Sequence, residues 1–275
     1  MSRERAGRRL AAVAIAGAII LWAFPFYWAL TASVTPEARL FEKRPLWPSA
    51  PDLSAYRALW SERDFWLPLR NSLVVAGGTT LLCVTVGALA AYALARLRFR
   101  GKTAILGFVL AVTMFPQISI VSPLYLLLRT LRLIDTYPGL ILPYLTFAMP
   151  LAVWLLTGFF RQLPADLEEA ALVDGASRWQ ILWKVILPLA APGLATTAIL
   201  TFVYCWNEFL FALTFTLGPE RQTVPVAIAL FRGRYQVPWG QILAAAMVAT
   251  APVAALVLAF QRRIVQGLTA GAVKG

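Results

Sequence analysis

The stretch LEEAALVDGASRWQILWKVILPL, residues 167–189, sets acids, a glycine and a serine between two long apolar runs. Pro164 at a first-turn position, followed by Asp166, Glu168 and Glu169, marks a helix start with negative charge where the backbone dipole favours it. Leu167, Ala170, Ala171 and Asp174 follow at helical spacing, and Gly175 makes the stop that a residue without Cβ makes easily. Ser177 and Gln180 then have capping-box spacing, and Trp179, Leu182, Val185 and Ile186 form an apolar stripe ended by Pro188. The passage therefore predicts two short helices bent at a glycine. Isolated helices below about 12–15 residues are marginal in water, so something must hold them.

On either side the chain is unlike a soluble domain. Only 14% of its 275 residues are charged, against about a quarter in an ordinary globular protein, which puts the chain in a membrane. Crossing the roughly 30 Å hydrocarbon layer takes about 20 apolar residues, and six stretches qualify: residues 10–31, 72–94, 104–128, 139–160, 189–214 and 242–260. The first follows Arg3, Arg5, Arg8 and Arg9 but exceeds the ~7–15 apolar residues of a secretory signal, so it reads as an uncleaved span. The expected fold is an all-α polytopic membrane protein of six helices. Residues 1–71 hold the first span and an external loop, 72–262 the core with the polar loop at 161–188, and 263–275 a tail.

Arg96, Arg98, Arg100 and Lys102 crowd the second connection without an acid, which makes it cytoplasmic by the positive-inside rule, as are the N-terminal arginines. An even number of spans then puts both termini and the 161–188 loop inside. The external loop from Ser33 to Asn71 mixes both signs of charge and carries Pro36, Pro45, Pro48, Pro51 and Pro68, so it reads as a folded loop. Trp22, Phe24, Phe26, Tyr27 and Trp28 suit a headgroup-level aromatic belt. Small residues such as Gly87, Ala88 and Ala91 in the second span and Ala244 and Ala245 in the sixth call for close helix packing. Pro116, Pro143, Pro150 and Pro252 are expected to interrupt the third, fourth and sixth spans.

Enzyme chemistry finds few parts here. No histidine occurs, which removes the commonest general base and metal ligand, and Cys83 and Cys205 lie inside spans. No catalytic residue and no metal site are expected. The GKT at Gly101–Thr103 resembles the end of a phosphate-binding loop, but Arg96 stands where that motif needs its first glycine. Nucleotide chemistry must come from another polypeptide.

Glu208 is the one acid deep in a predicted span, beside Trp206 and Asn207. An ionisable residue there is costly and marks a candidate position in a substrate pathway, where amide, carboxylate and indole offer hydrogen bonds and an aromatic face. The alternative is that Asn207 and Glu208 tie helices together. An ion-coupled secondary transporter would need several such acids, and it would usually show two matching halves, which this sequence lacks. A non-transporting scaffold would need no motor. Neither rival accounts for the bent acidic loop. An amphipathic helix lying on the bilayer is usually basic on its polar face, whereas this loop carries four acids against Arg178 and Lys184; docking into a groove on a soluble partner fits better.

Glu169-Ala170-Ala171, three residues, Gly175, nine residues, then Val185-Ile186-Leu187-Pro188 resembles the EAA loop of ABC importer membrane subunits, with Val185 in place of the pattern's isoleucine. YCWNEFLFALTF at residues 204–215 and QRRIVQGLTAGAVKG at 261–275 are similar to the smaller permeases of maltose- and trehalose-type carbohydrate importers. The resemblance implies a type I (MetI-like) importer fold in a bacterial cytoplasmic membrane. It also implies a second permease as heterodimer partner, two ATP-binding cassette subunits that hold ATP and magnesium, an extracytoplasmic sugar-binding protein, and no nucleic acid partner. In that frame Glu168, Glu169, Ala170, Ala171, Asp174, Gly175, Val185, Leu187 and Pro188 couple to the ATPase. Residues 220–240 are expected to face the binding protein, and the tail from Leu268 to reach the ATPase.

Overall fold

The computed structural model describes residues 2–41, 50–231 and 237–270, and the side chains within them except at 2–6, 8–9 and 262–270. Pro45, Pro48 and the last five tail residues lie outside the described residues. Among those described, four helices are long and apolar enough to cross a membrane: Leu10–Ser33, Trp66–Arg96, Tyr137–Gln162 and Trp239–Gln261. Two bent pairs pass the same test together, Lys102–Thr113 with Gln117–Thr130 at 91° and Arg178–Leu189 with Ala191–Trp206 at 76°. The chain divides into two compact units, Met1–Phe65 with Leu230–Ala251 and Trp66–Ala229 with Pro252–Gly275.

The first unit holds α1 (Ser2–Ser33), a 3-10 turn (Glu37–Arg39), α2 (Ser54–Ser61) and the start of α13 (Trp239–Ala270). The apolar length of α1 is exposed, while Thr31, Ala32 and Ser33 at its end are buried. Ser33 Oγ lies 2.7 Å from Tyr56 Oη, and Asp52 N–H donates to the Val34 carbonyl at 2.8 Å, which folds the loop back on that helix end. Asp52 in turn accepts from the Ser54 N–H and hydroxyl, both at 2.8 Å, and so supports the start of α2. The Ser54 N–H holds the Asp52 carboxyl below the ordinary carboxylate range. That support is therefore present above the usual range and is lost as pH falls through the lowered value. Phe65 is packed between Trp60 and Phe231, and the Arg63 guanidinium lies 4.9 Å over the Phe231 ring.

The second unit is a bundle in which α3 (Trp66–Arg96), α6 (Tyr137–Gln162) and α10 (Ala191–Trp206) pack on one another. Around them lie α4 (Lys102–Thr113), α5 (Gln117–Thr130), the short α11 (Leu210–Phe215) and α12 (Val224–Ala229). The small residues of α3 do what their size suggests: Ala88 and Ala91 are buried, and Gly87 lies against Ala152 and Leu156 of α6. At one end, Asn71 is fully buried and wholly bonded. Its amide donates to the Glu220 and Gln222 carbonyls at 2.9 Å each, and its oxygen accepts from Tyr137 Oη at 2.8 Å.

The prolines behave unequally. Pro116 stands at the 91° bend between α4 and α5, as expected, but α6 runs through Pro143 and Pro150 and α13 through Pro252 without a break. Pro143 and Pro150 are themselves buried in the bundle, where neighbouring helices can compensate for the lost backbone donor. The fifth span also departs from the continuous run at 189–214. It ends at Trp206, breaks at 207–209 and resumes as α11.

Candidate coupling site

Downstream of α6 the chain makes the predicted bent pair. The first arm is α7, Asp166–Val173, with Asp166, Glu168 and Glu169 in its first turn. Gly175 then takes φ +80°, a left-handed conformation that costs other residues roughly 1–2 kcal/mol. Ser177 and Gln180 form a full capping box: the Ser177 hydroxyl accepts from the Gln180 N–H at 3.3 Å and the Gln180 amide oxygen accepts from the Ser177 N–H at 2.8 Å. The second arm runs from α8 (Arg178–Ile181) through a π turn (Leu182–Ile186) into α9 (Leu187–Leu189).

Two anchors hold the arms. Ile181, Leu182, Ile186 and Ala190 sink into a cluster with Ala88, Ala91 and Tyr92 of α3 and Leu156 and Phe160 of α6. The stripe read from sequence thus divides. Leu182 and Ile186 face the chain's own core, Val185 is half-buried, and Trp179 stays exposed, edge-on to Trp183 with ring centroids 5.8 Å apart. Periodicity identifies an apolar face but not which protein covers it. The second anchor is ionic. Glu168 is only 6% exposed, and its carboxylate lies 2.9 Å from Arg96 Nε and 3.6 Å from an Arg178 guanidinium nitrogen. The short contact is off-axis for a hydrogen bond, so its attraction is Coulombic. The Arg96 guanidinium also donates to the Leu163 carbonyl at 2.6 Å, where α6 ends. Arg96, read from sequence as a topology signal only, therefore joins α3, α6 and α7.

The remaining loop residues separate by face. Glu169, Ala170, Asp174, Gly175 and Pro188 are exposed, whereas Ala171 and Leu187 are half-buried against the core cluster. A cleft of about 290 Å³ opens between the arms, lined by Ala171, Asp174, Gly175, Gln180, Lys184 and Val185 among others. Beside it Val173 is 88% exposed, with Leu167, Leu172, Trp179 and Trp183 also uncovered. These exposed apolar side chains lie on the face of the loop that is not packed against α3 and α6.

Trp206, Asn207 and Glu208 do not converge on one open surface. Trp206 is buried and stacks on Phe202 at 5.6 Å. Asn207 is exposed and donates to the Val203 carbonyl at 2.7 Å. Glu208 turns onto the start of α11, where its two carboxylate oxygens accept from the Phe211 N–H at 2.8 Å and the Ala212 N–H at 3.1 Å. Those are orphan donors of a helix N-terminus, and at membrane depth nothing else would satisfy them. Glu208→Leu should therefore destabilise the solubilised protein by a cap's worth of about 0.5–2 kcal/mol, read as a lower melting temperature, with Glu208→Gln milder. If Glu208 is instead a solute ligand, the Gln variant would keep its melting temperature and lose binding.

Among the described residues no three of His, Cys, Asp and Glu gather as a metal site. Residues 83–270 match the family described as binding-protein-dependent transport system inner membrane component. The chain is 49% identical over 253 residues to the trehalose transport system permease protein SugB of Mycobacterium tuberculosis, covering 91% of this chain and 92% of the relative. It is 43% identical to the trehalose/maltose transport system permease protein MalG of Thermococcus litoralis, covering 99% of each. A subunit in the crystal structure of a bacterial ABC transporter for the acidic polysaccharide alginate superposes with a TM-score of 0.80 at 24% identity, over 95% of this chain and 98% of that one, a likeness of fold.

Proposed function

The chain belongs to the binding-protein-dependent transport system inner membrane component family, and from that premise we propose how it works as the permease subunit of a sugar-importing ABC transporter. It is the smaller of two permeases that together form the pathway for a disaccharide or oligosaccharide such as trehalose or maltose; trehalose is named for both relatives and maltose for one. An extracytoplasmic sugar-binding protein delivers the cargo. Two ATPase subunits bind ATP and magnesium and dock on the 161–188 loop, with both termini on their side of the membrane.

The carrying observation is the division of that loop into a fixed face and a free face. Ile181, Leu182, Ile186 and the Arg96–Glu168 pair bind it to α3 and α6, while Glu169, Asp174, the cleft and the exposed apolar side chains remain for the motor. Closure of the ATPase pair on nucleotide then moves the loop as a lever, and the spans bonded to it rock with it. Each site biases one shared element with two arrangements, which is what coupling requires. An ion-driven cycle would need a titrating acid in the bundle, and Glu208 is already committed to the α11 cap.

The test is ATP-dependent sugar uptake by the assembled importer in vesicles. Gly175→Val forces a β-branched residue to φ +80°, and Glu169→Lys reverses a charge on the free face. Each should reduce uptake and transport-stimulated ATP hydrolysis roughly tenfold, which corresponds to about 1.4 kcal/mol of lost coupling, with normal insertion and assembly. Undiminished uptake in both variants would remove the lever.

A further inference from the structure

A second groove of the second unit lies away from the loop. The helix α4 leans on α6 and buries none of its own residues. A groove of about 520 Å³ is left between α3, α4 and α6. Its walls are Val86 and Ala90 of α3, Phe108 and Val112 of α4, and Met149 and Val153 of α6. Thr146 is the one lining side chain with a hydroxyl, so the groove offers a sugar almost nothing to bond. Methylene groups suit it, and Met149 adds a flexible wall.

Phe99 also lines the groove, at the connection between α3 and α4. There Gly101 turns the chain at φ +90°, the Lys102 ammonium lies 5.5 Å from the Phe99 ring centroid, and Arg98 and Arg100 on either side of Phe99 are exposed. Among the described residues none of these three cations has an acidic partner. An apolar slot with unpaired positive charge at its mouth is complementary to a molecule with a long hydrocarbon chain and an anionic head. We propose that this groove holds an acyl chain of an anionic phospholipid whose headgroup phosphate rests on Arg98, Arg100 and Lys102.

The occupant follows from the charge: a zwitterionic lipid would fill the slot equally well but would leave the three cations without net compensation. Each Lys or Arg near an anionic leaflet adds binding free energy. The site goes beyond the transport reading and uses from it only the cytoplasmic placement of the 96–102 connection. It assigns these residues a ligand as well as an orientation signal.

The assembled importer, stripped of lipid in detergent, is titrated with phosphatidylglycerol or phosphatidylcholine and bound lipids are counted by native mass spectrometry. The wild-type complex should retain phosphatidylglycerol preferentially. Substituting R98Q, R100Q and K102Q together should weaken that binding roughly a hundredfold and leave phosphatidylcholine binding nearly unchanged. Ala90→Trp, which fills the slot and leaves the cations in place, should lower binding of both lipids. Retention of phosphatidylglycerol that neither variant changes would overturn the site. So would efficient cross-linking of a Phe108→Cys variant to the second permease, since protein would then cover the groove. Sugar uptake is scored separately: its failure in the wild-type complex bears on the transport reading and leaves the lipid counts standing.

Discussion

Arg96→Ala is expected to loosen the coupling loop and destabilise the second unit by about 3–5 kcal/mol, the usual cost of leaving one member of a buried ion pair without its partner. Both side chains are nearly enclosed, at 10% and 8% exposed, so solvent screens the pair little. The loss would be compound, because the same guanidinium also holds the Leu163 carbonyl at the end of α6. Glu168→Ala should cost nearly as much, since it leaves the enclosed Arg96 guanidinium without its carboxylate and with a second cation, Arg178, on the far side of the gap. Arg96→Lys keeps the charge but cannot serve the carboxylate and the carbonyl with one planar fork, so it should fall between. An apolar pair, Arg96→Met with Glu168→Leu, should recover most of the stability. Thermal melting of the solubilised complex and the rate of proteolysis between α6 and α7 are the measurements. An Arg96→Ala protein that melts with the wild type and resists protease equally would mean that the pair holds nothing.

Gly139→Ala should be the most damaging of the small-to-slightly-larger substitutions. Thr136 caps α6 by accepting from the Gly139 N–H at 3.1 Å and donating its hydroxyl to the Leu133 carbonyl at 2.7 Å. This two-way bond presses residue 139 onto the turn before it, so an added Cβ would overlap the Leu133 carbonyl oxygen. Backbone cannot swing aside as a side chain does. The cost belongs at or beyond the upper end of the ~1–3 kcal/mol usual for overpacking. Two other glycines grade the effect. At Gly193 a Cβ would come 2.5 Å from Phe159 Cγ, a side-chain atom and not backbone. At Gly87 it would make an ordinary contact, 3.6 Å from Ala152 Cβ. Melting temperatures should therefore fall in the order Gly87→Ala, Gly193→Ala, Gly139→Ala, and equal losses at all three would refute the steric account.

What the sequence makes legible is what depends on near neighbours in the chain. The Gly175 stop and the Ser177–Gln180 box are each set by a few consecutive residues, and the structure has both. The spans follow from composition over about twenty residues, which is why their places are legible while their bends are not. Pro116 marks a break but Pro143 does not, because the outcome depends on which helices surround the proline. Long-range relations leave no such trace. Nothing in the local pattern pairs Arg96 with Glu168, or says that Leu182 and Ile186 are covered by α3 and α6 and not by a partner. Glu208 shows the limit from the other side. Its expense in a span marks it as special, but the backbone donors that meet it exist only because the helix breaks around it, at 207–209, and restarts at Leu210.

The π turn at Leu182–Ile186 fixes a direction. Its closing bond runs from the Leu187 N–H to the Leu182 carbonyl, one residue further back than in an ordinary helix. Each residue of a regular helix turns the chain by about 100°, so the extra residue decides to which compass point α9 faces when the chain bends at Ala190. Excise Lys184 there and the fifth span would depart roughly a quarter-turn off course, with every hydrophobic side chain still present but turned away from the neighbour it packs against.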